Sequence, residues 1–159
     1  PEDILFLKLS EAQEKPDWLN EAFLEACVKN NTKQIHFYLS LGINSNSVLY
    51  TQNPIILFNI AEYYALDKTH AEGLKKSFFY FKFAAEKGFA KAQFRLGQCF
   101  EQGLGTARDG KEALQYYLYA AEQGDVDAYY ALGKIYYHRD TDKRESIEKA
   151  IHYFAIAAK

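Results

Sequence analysis

Four histidines and two cysteines, His36, His70, His138, His152, Cys27 and Cys99, are the residues whose types could bind a transition metal or supply a soft nucleophile. Tetrahedral zinc draws on closely spaced pairs such as Cys-x-x-Cys or His-x-x-x-His, and neither spacing occurs. Gly103-Leu104-Gly105 could cradle a phosphate. It follows a helical pattern rather than a strand, however, and no Gly-Lys-Ser/Thr comes after it, so it reads as a loop between helices. Gly-x-Ser-x-Gly and His-Glu-x-x-His are both missing. Asn30-Asn31-Thr32 spells a glycosylation sequon, which has meaning only in a secretory lumen. The expectation is no catalytic residue, no cofactor and no metal.

Composition narrows the partners. Net charge is −2 over 159 residues with both signs interspersed, so the concentrated basic face that nucleic acid requires is missing. No apolar run approaches the roughly 20 residues of a membrane span. Two cysteines do not make a disulfide framework, and free thiols in a cytoplasmic, reducing setting are expected. Pro1-Glu2-Asp3 is unlike a secretory leader. Lys159 falls where earlier segments continue to Glu-x-Gly, and the chain reads as a fragment of a longer protein.

The elements that must position any site come from self-similarity. Ala84–Gly88 returns 36 residues later at Ala120–Gly124, and Ala-Ala returns after a further 37 at Ala157–Ala158. Leu96-Gly97 and Leu132-Gly133 share the 36-residue step, as do Phe100 and Tyr136. A fixed period of this size marks stacked supersecondary units. In the middle unit Ala92, Leu96, Gly97 and Phe100 share one helical face. Gly103-x-Gly105 then breaks the helix, and Asp109 with Glu112 makes a capping box for a second helix. That second helix shows Ala113, Tyr116, Tyr117, Ala120 and Ala121. The first unit matches with Ile56, Ile60, Ala61 and Tyr64, then Ser77, Tyr80, Phe81, Ala84 and Ala85, with Thr69-x-x-Glu72 as its capping box. The third matches with Ala128, Leu132, Gly133 and Tyr136, then Ala150, Tyr153, Phe154, Ala157 and Ala158, with Ser146 as its N-cap.

The string Ala-x-x-x-Leu-Gly-x-x-aromatic, Gly-x-Gly, Asp-x-x-x-Ala-x-x-Tyr-Tyr-x-x-Ala-Ala-x-x-Gly resembles the Sel1-like repeat family, a relative of the tetratricopeptide repeat, over roughly 54–159. The resemblance implies an all-α superhelical solenoid of three units, about 54–88, 89–124 and 125–159. It implies protein–protein adaptor or scaffolding work and no catalytic residues.

Residues 1–50 depart from the period and read as a helical N-terminal cap. Within it, 17–47 carries Leu24, Ala26 and Cys27, then Ile35, Tyr38 and Leu39, then a Gly42–Asn46 turn, and resembles a single ankyrin repeat. Ile4–Leu9 reads as a short amphipathic helix, with Ser10-x-x-Gln13 as the next start signal. The boundary between cap and array falls in Ser45–Asn53.

One set of aromatics stands apart from the packing positions. Phe58, Phe94 and Tyr130 recur 36 residues apart on the first helix of each unit. Helical spacing adds Glu62, Gln98 and Lys134, then Ala65, Glu101 and Tyr137, then Leu66, Gln102 and His138. The tetratricopeptide likeness implies that this helix lines the concave side. The expected partner surface is therefore Phe58, Glu62, Phe94, Gln98, Glu101, Tyr130, Lys134, Tyr137 and His138, with inter-repeat packing as the alternative for the rings. The partner is expected to be another protein or a peptide segment. Two other roles compete with that of a non-enzymatic scaffold: a regulatory or substrate-recruiting module of a larger enzyme, and the interaction domain of a bacterial host-directed effector.

Overall fold

The computed structural model describes residues 16–66, 69–138 and 143–159. The helix expected at Ile4–Leu9 and the signal at Ser10 lie outside them. Among the described residues the regular elements are all helical: α1 (Asp17–Val28), α2 (Thr32–Ser40), a 3-10 turn (Ser45–Tyr50), α3 (Pro54–Ala65), α4 (Ala71–Glu86), α5 (Ala90–Gln102), α6 (Gly110–Glu122), α7 (Val126–Tyr137) and α8 (Lys143–Ala157). Three antiparallel pairs, α3–α4, α5–α6 and α7–α8, stack in sequence and form an α/α solenoid.

Each pair is held by two aromatic contacts at fixed positions. Tyr64 stacks on Tyr80, Phe100 on Tyr116 and Tyr136 on Tyr153, with ring centroids 5.9, 5.8 and 5.6 Å apart. A second series joins Phe58 to Phe81, Phe94 to Tyr117 and Tyr130 to Phe154 at 5.7, 5.6 and 5.6 Å. Such pairs add about 0.5–1.5 kcal/mol each beyond the area they bury. In the second and third pairs a helical glycine, Gly97 or Gly133, lies under the ring of this series, where the first pair has Ala61. A Cβ built at Gly97 would lie 2.7 Å from the Tyr117 ring, and one at Gly133 would lie 2.6 Å from the Phe154 ring. Both helical glycines make room for an aromatic from the partner helix.

The helix ends follow local chemistry in part. Asp109 caps α6 by accepting from the amides of Lys111 and Glu112 at 2.9 and 3.1 Å. Gly103 and Gly105 take the left-handed conformation, and a Cβ at Gly105 would strike the Leu74 carbonyl of α4. Two expected caps are corrected. His70, not Thr69, stands at the N-cap of α4 and makes no side-chain cap bond. Ser146 lies inside α8, which starts at Lys143. Ion pairs Arg144–Glu148 and Lys149–Glu145, spaced i,i+4, favour that longer helix, and Ser146 is buried within it.

The N-terminal helices share a core with the first pairs. Leu19, Phe23, Ala26, Cys27 and Ile35 belong to one buried cluster with Leu57, Ile60, Phe81 and Leu96. Asn59, buried on α3, donates through Nδ2 to the Cys27 carbonyl at 2.7 Å, at the end of α1. Ser45–Asn53 is no free tether. Val48 is fully buried, and the Tyr80 hydroxyl lies 2.9 Å from Ser45 Oγ and 2.8 Å from Asn46 Oδ1.

Candidate interaction surface

The expected surface residues fall into three local groups: one bridging α3 and α5, one on α5 and one at α7. On α3 and α5, Arg95 organises the site. Its Nε and Nη2 donate to Glu62 at 2.6 and 3.3 Å, and its Nη1 donates to Gln98 Oε1 at 2.8 Å. Its guanidinium carbon stands 5.3 Å from the centroid of Phe81. A planar cation that is paired twice and lies near an aromatic ring is held more firmly than a lone surface pair. Beside it an open cleft of about 480 Å³ separates the α1–α2 turn from α3 and α5, lined by Phe58, Glu62, Lys91 and Arg95 among others. Phe58 is half-buried there, its ring T-shaped to Phe89 and tilted against Phe81.

The second group is Phe94 and Glu101. Phe94 is half-buried on Tyr117. The Tyr117 hydroxyl donates to Glu101 Oε2 at 2.7 Å. Burial raises the Tyr117 pKa and the bond to Glu101 raises it further, so the phenol keeps its proton and remains the donor.

The third group is the most open. Tyr130 is 54% exposed and Tyr137 63% exposed, and Lys134 Nζ sits 5.2 Å over the Tyr130 ring. His138 is exposed, its ring edge-on to Tyr137 at 5.2 Å. The three rings of the ladder thus share one contact, each with an aromatic on its partner helix, but differ in what they show to solvent. Phe58 and Phe94 turn much of their surface into packing, whereas Tyr130 keeps half of its own.

Arg95 escaped the sequence reading, although its position carried a signal. It lies 36 residues after Asn59 and 36 before Ala131. Asn59 reaches back to α1 and Arg95 reaches back to α3, so this position addresses the upstream neighbour. Because its residue type changes in every unit, a search for self-similarity passes over it.

The metal-capable residues are scattered. His36 Nδ1 is 2.8 Å from the Tyr63 hydroxyl, while His152 packs on Tyr153. Cys27 and Cys99 are free and buried, and burial pushes their thiols up to about 12 and about 11. Such thiols are protonated and inert near neutrality. Among the described residues no three His, Cys, Asp or Glu side chains group as a metal site, and no helix is long and apolar enough to cross a membrane.

Comparison with known proteins agrees with this architecture. A Sel1 repeat from Oxalobacter formigenes has a solved structure that superposes with a TM-score of 0.65 at 23% identity, over 91% of this chain and 60% of that one. A protective antigen of uropathogenic Escherichia coli with an SLR fold superposes with a TM-score of 0.59 at 28% identity, over 82% of this chain and 26% of that one. DAP3-binding cell death enhancer 1 of Mus musculus is 47% identical over 38 residues, which span 24% of this chain and 8% of that protein. The Sel1 repeat model matches at 71–89, 90–125 and 126–159, so α3 lies upstream of the first match. Sel1 repeats are in general protein–protein interaction modules, and this chain belongs to the Sel1 repeat family.

Proposed function

We propose that this chain is a non-enzymatic scaffold that binds a segment of a partner protein along the face formed by α3, α5 and α7. The observation that carries this reading is the exposure of Tyr130. Its ring is braced from one side by Phe154 and overlaid by Lys134, yet it leaves 54% of its surface to solvent. Tyr137 and His138 extend the patch at the end of the same helix. Rigid aromatics at a polar-edged surface are the usual anchors of an interface, since they bury large area at small entropic cost. Phe58, Phe94 and the Glu62–Arg95–Gln98 group continue the surface on the preceding units.

The test is affinity capture with the folded chain, followed by calorimetry on the captured partner. Tyr130→Ala should weaken binding by about 2 kcal/mol or more, the hot-spot scale, and lower the folding stability only by the loss of the Phe154 contact, about 0.5–1.5 kcal/mol. Undiminished binding with early melting would assign Tyr130 to the core and end this reading.

A further inference from the structure

A recess of about 160 Å³ lies at the joint between the first and second helix pairs. An engineered apolar cavity of about 150 Å³ is large enough to hold benzene. Ala65 of α3, Leu74 and Phe81 of α4, Cys99 of α5 and Leu104 of the following loop form its apolar lining. Ser77, Phe81 and Cys99 are buried and mark the inner wall, which therefore carries one hydroxyl among apolar groups. Gln102 is exposed and marks the mouth, beside the half-buried Arg95 and Gln98.

The recess has a cause in the sequence. In the second pair, the positions 36 residues after Ala65 and Phe81 carry Glu101 and Tyr117. There the phenol and the carboxylate meet at 2.7 Å. Phe81 has no hydroxyl and Ala65 no carboxylate, so the first pair lacks this bridge, and both residues line the recess instead.

Its polar side offers donors. A guanidinium carries five N–H groups. Arg95 commits Nε, one Nη2–H and one Nη1–H to Glu62 and Gln98, which leaves two unpaired among the described residues. Gln98 accepts through Oε1, which leaves its amide N–H groups for a ligand. Glu62 neutralises Arg95 at 2.6 Å, so the mouth favours a neutral acceptor such as a peptide carbonyl over an anion.

We infer that this recess takes one leucine- or phenylalanine-sized side chain of the bound segment, whose adjoining main-chain carbonyls accept from Arg95 and Gln98. The inference relies on the partner-segment reading for the source of that side chain. An alanine-sized group would leave most of the lining without contacts.

The test uses capped amino-acid amides and needs no identified partner. N-acetyl-leucinamide and N-acetyl-phenylalaninamide should shift the amide resonances of Ser77, Cys99 and Gly105 saturably, and N-acetyl-alaninamide should not. The double variant Ala65→Glu with Phe81→Tyr transplants the bridge of the second pair into the first. It should melt with the parent and lose the titration. Should that variant not fold, Gln98→Ala, at a half-buried position on the mouth of the recess, replaces it and should weaken the leucinamide about three-fold, as expected for one hydrogen bond. No saturable shift with either large amide, equal shifts with the alaninamide, an unaltered titration in the folded double variant, or an unaltered titration in Gln98→Ala would each overturn the inference. Tyr130→Ala should leave these titrations untouched, so failure of the wider binding face and failure of the recess give separate results.

Discussion

The buried carboxamide of Asn59 donates to the main-chain carbonyl of Cys27 at 2.7 Å and fastens the last turn of α1 to the middle of α3. The same carbonyl also accepts from the Asn30 amide at 3.2 Å, so it is a shared acceptor at the turn into α2. Asn59→Ala removes one of these bonds and leaves a void in the common core. The carbonyl keeps its Asn30 partner, so the expected loss is that of one hydrogen bond plus the small void, about 1–2 kcal/mol of unfolding free energy. Urea melts followed by circular dichroism would measure it. A change below about 0.5 kcal/mol, the range of inert surface substitutions, would show that the contact does not hold α1 in place.

Gly97 sets a second expectation. Alanine is the better helix former by about 1 kcal/mol, but its Cβ would lie 2.7 Å from the fully buried Tyr117 ring. Overpacking of this kind costs about 1–3 kcal/mol. Gly97→Ala should therefore be neutral to moderately destabilising, and Gly97→Leu clearly destabilising. A thermal midpoint that rises with Leu would show the ring moving aside at no cost.

Lys134→Glu tests the electrostatics of the proposed face. It reverses the cation over Tyr130 without removing buried surface. Rim charges act mainly on association rate. If the partner segment is acidic, the association rate should fall and its salt dependence flatten, while the dissociation rate changes little. Stopped-flow association at two ionic strengths measures both.

Alkaline stability follows from the raised acids of the core. Burial pushes the Cys27 thiol up to about 12, and it pushes the Tyr80 phenol up to about 12 against the bond to Ser45. Both groups keep their protons in the folded chain at pH values where the unfolded chain has begun to release them. Their contribution is fully present below the unfolded values of about 8.5 and 10 and is lost as pH rises toward the folded ones. The urea midpoint should fall steadily between about pH 9 and 12. Cys27→Ala should flatten the first part of that fall, and a slope identical to that of the parent would place the cause elsewhere. Reagents for free thiols should also modify Cys27, which is fully buried, only as fast as the fold opens.

Much of the architecture was legible in the residues because it is local and periodic. The faces of Leu96, Gly97 and Phe100, and of Tyr116, Tyr117 and Ala120, recur with steps of 36 or 37 residues, and each unit solves one packing problem with similar types. Gly97 and Gly133 were readable as close-approach positions because nothing else in a helix favours glycine. Asp109 was readable as a cap because its bonds run within one turn.

Tertiary structure decided what periodicity cannot carry. The absorption of Ser146 into α8 shows burial and i,i+4 pairing overriding a local start signal, and α4 has its N-cap at His70 rather than Thr69, without a side-chain cap bond. Arg95–Glu62 and Asn59–Cys27 join residues 33 and 32 apart, across separate helices. Their meeting depends on how one pair leans on the next, and no single helix records that angle. The division of the ladder into half-buried Phe58 and Phe94 and open Tyr130 has the same origin. The three rings occupy one repeat position, but their neighbours differ: Phe89 adds a second ring against Phe58, whereas Tyr130 meets Phe154 and the long flexible chain of Lys134. Which aromatic faces a partner is a property of the stack, because exposure is set by what the adjoining units leave uncovered.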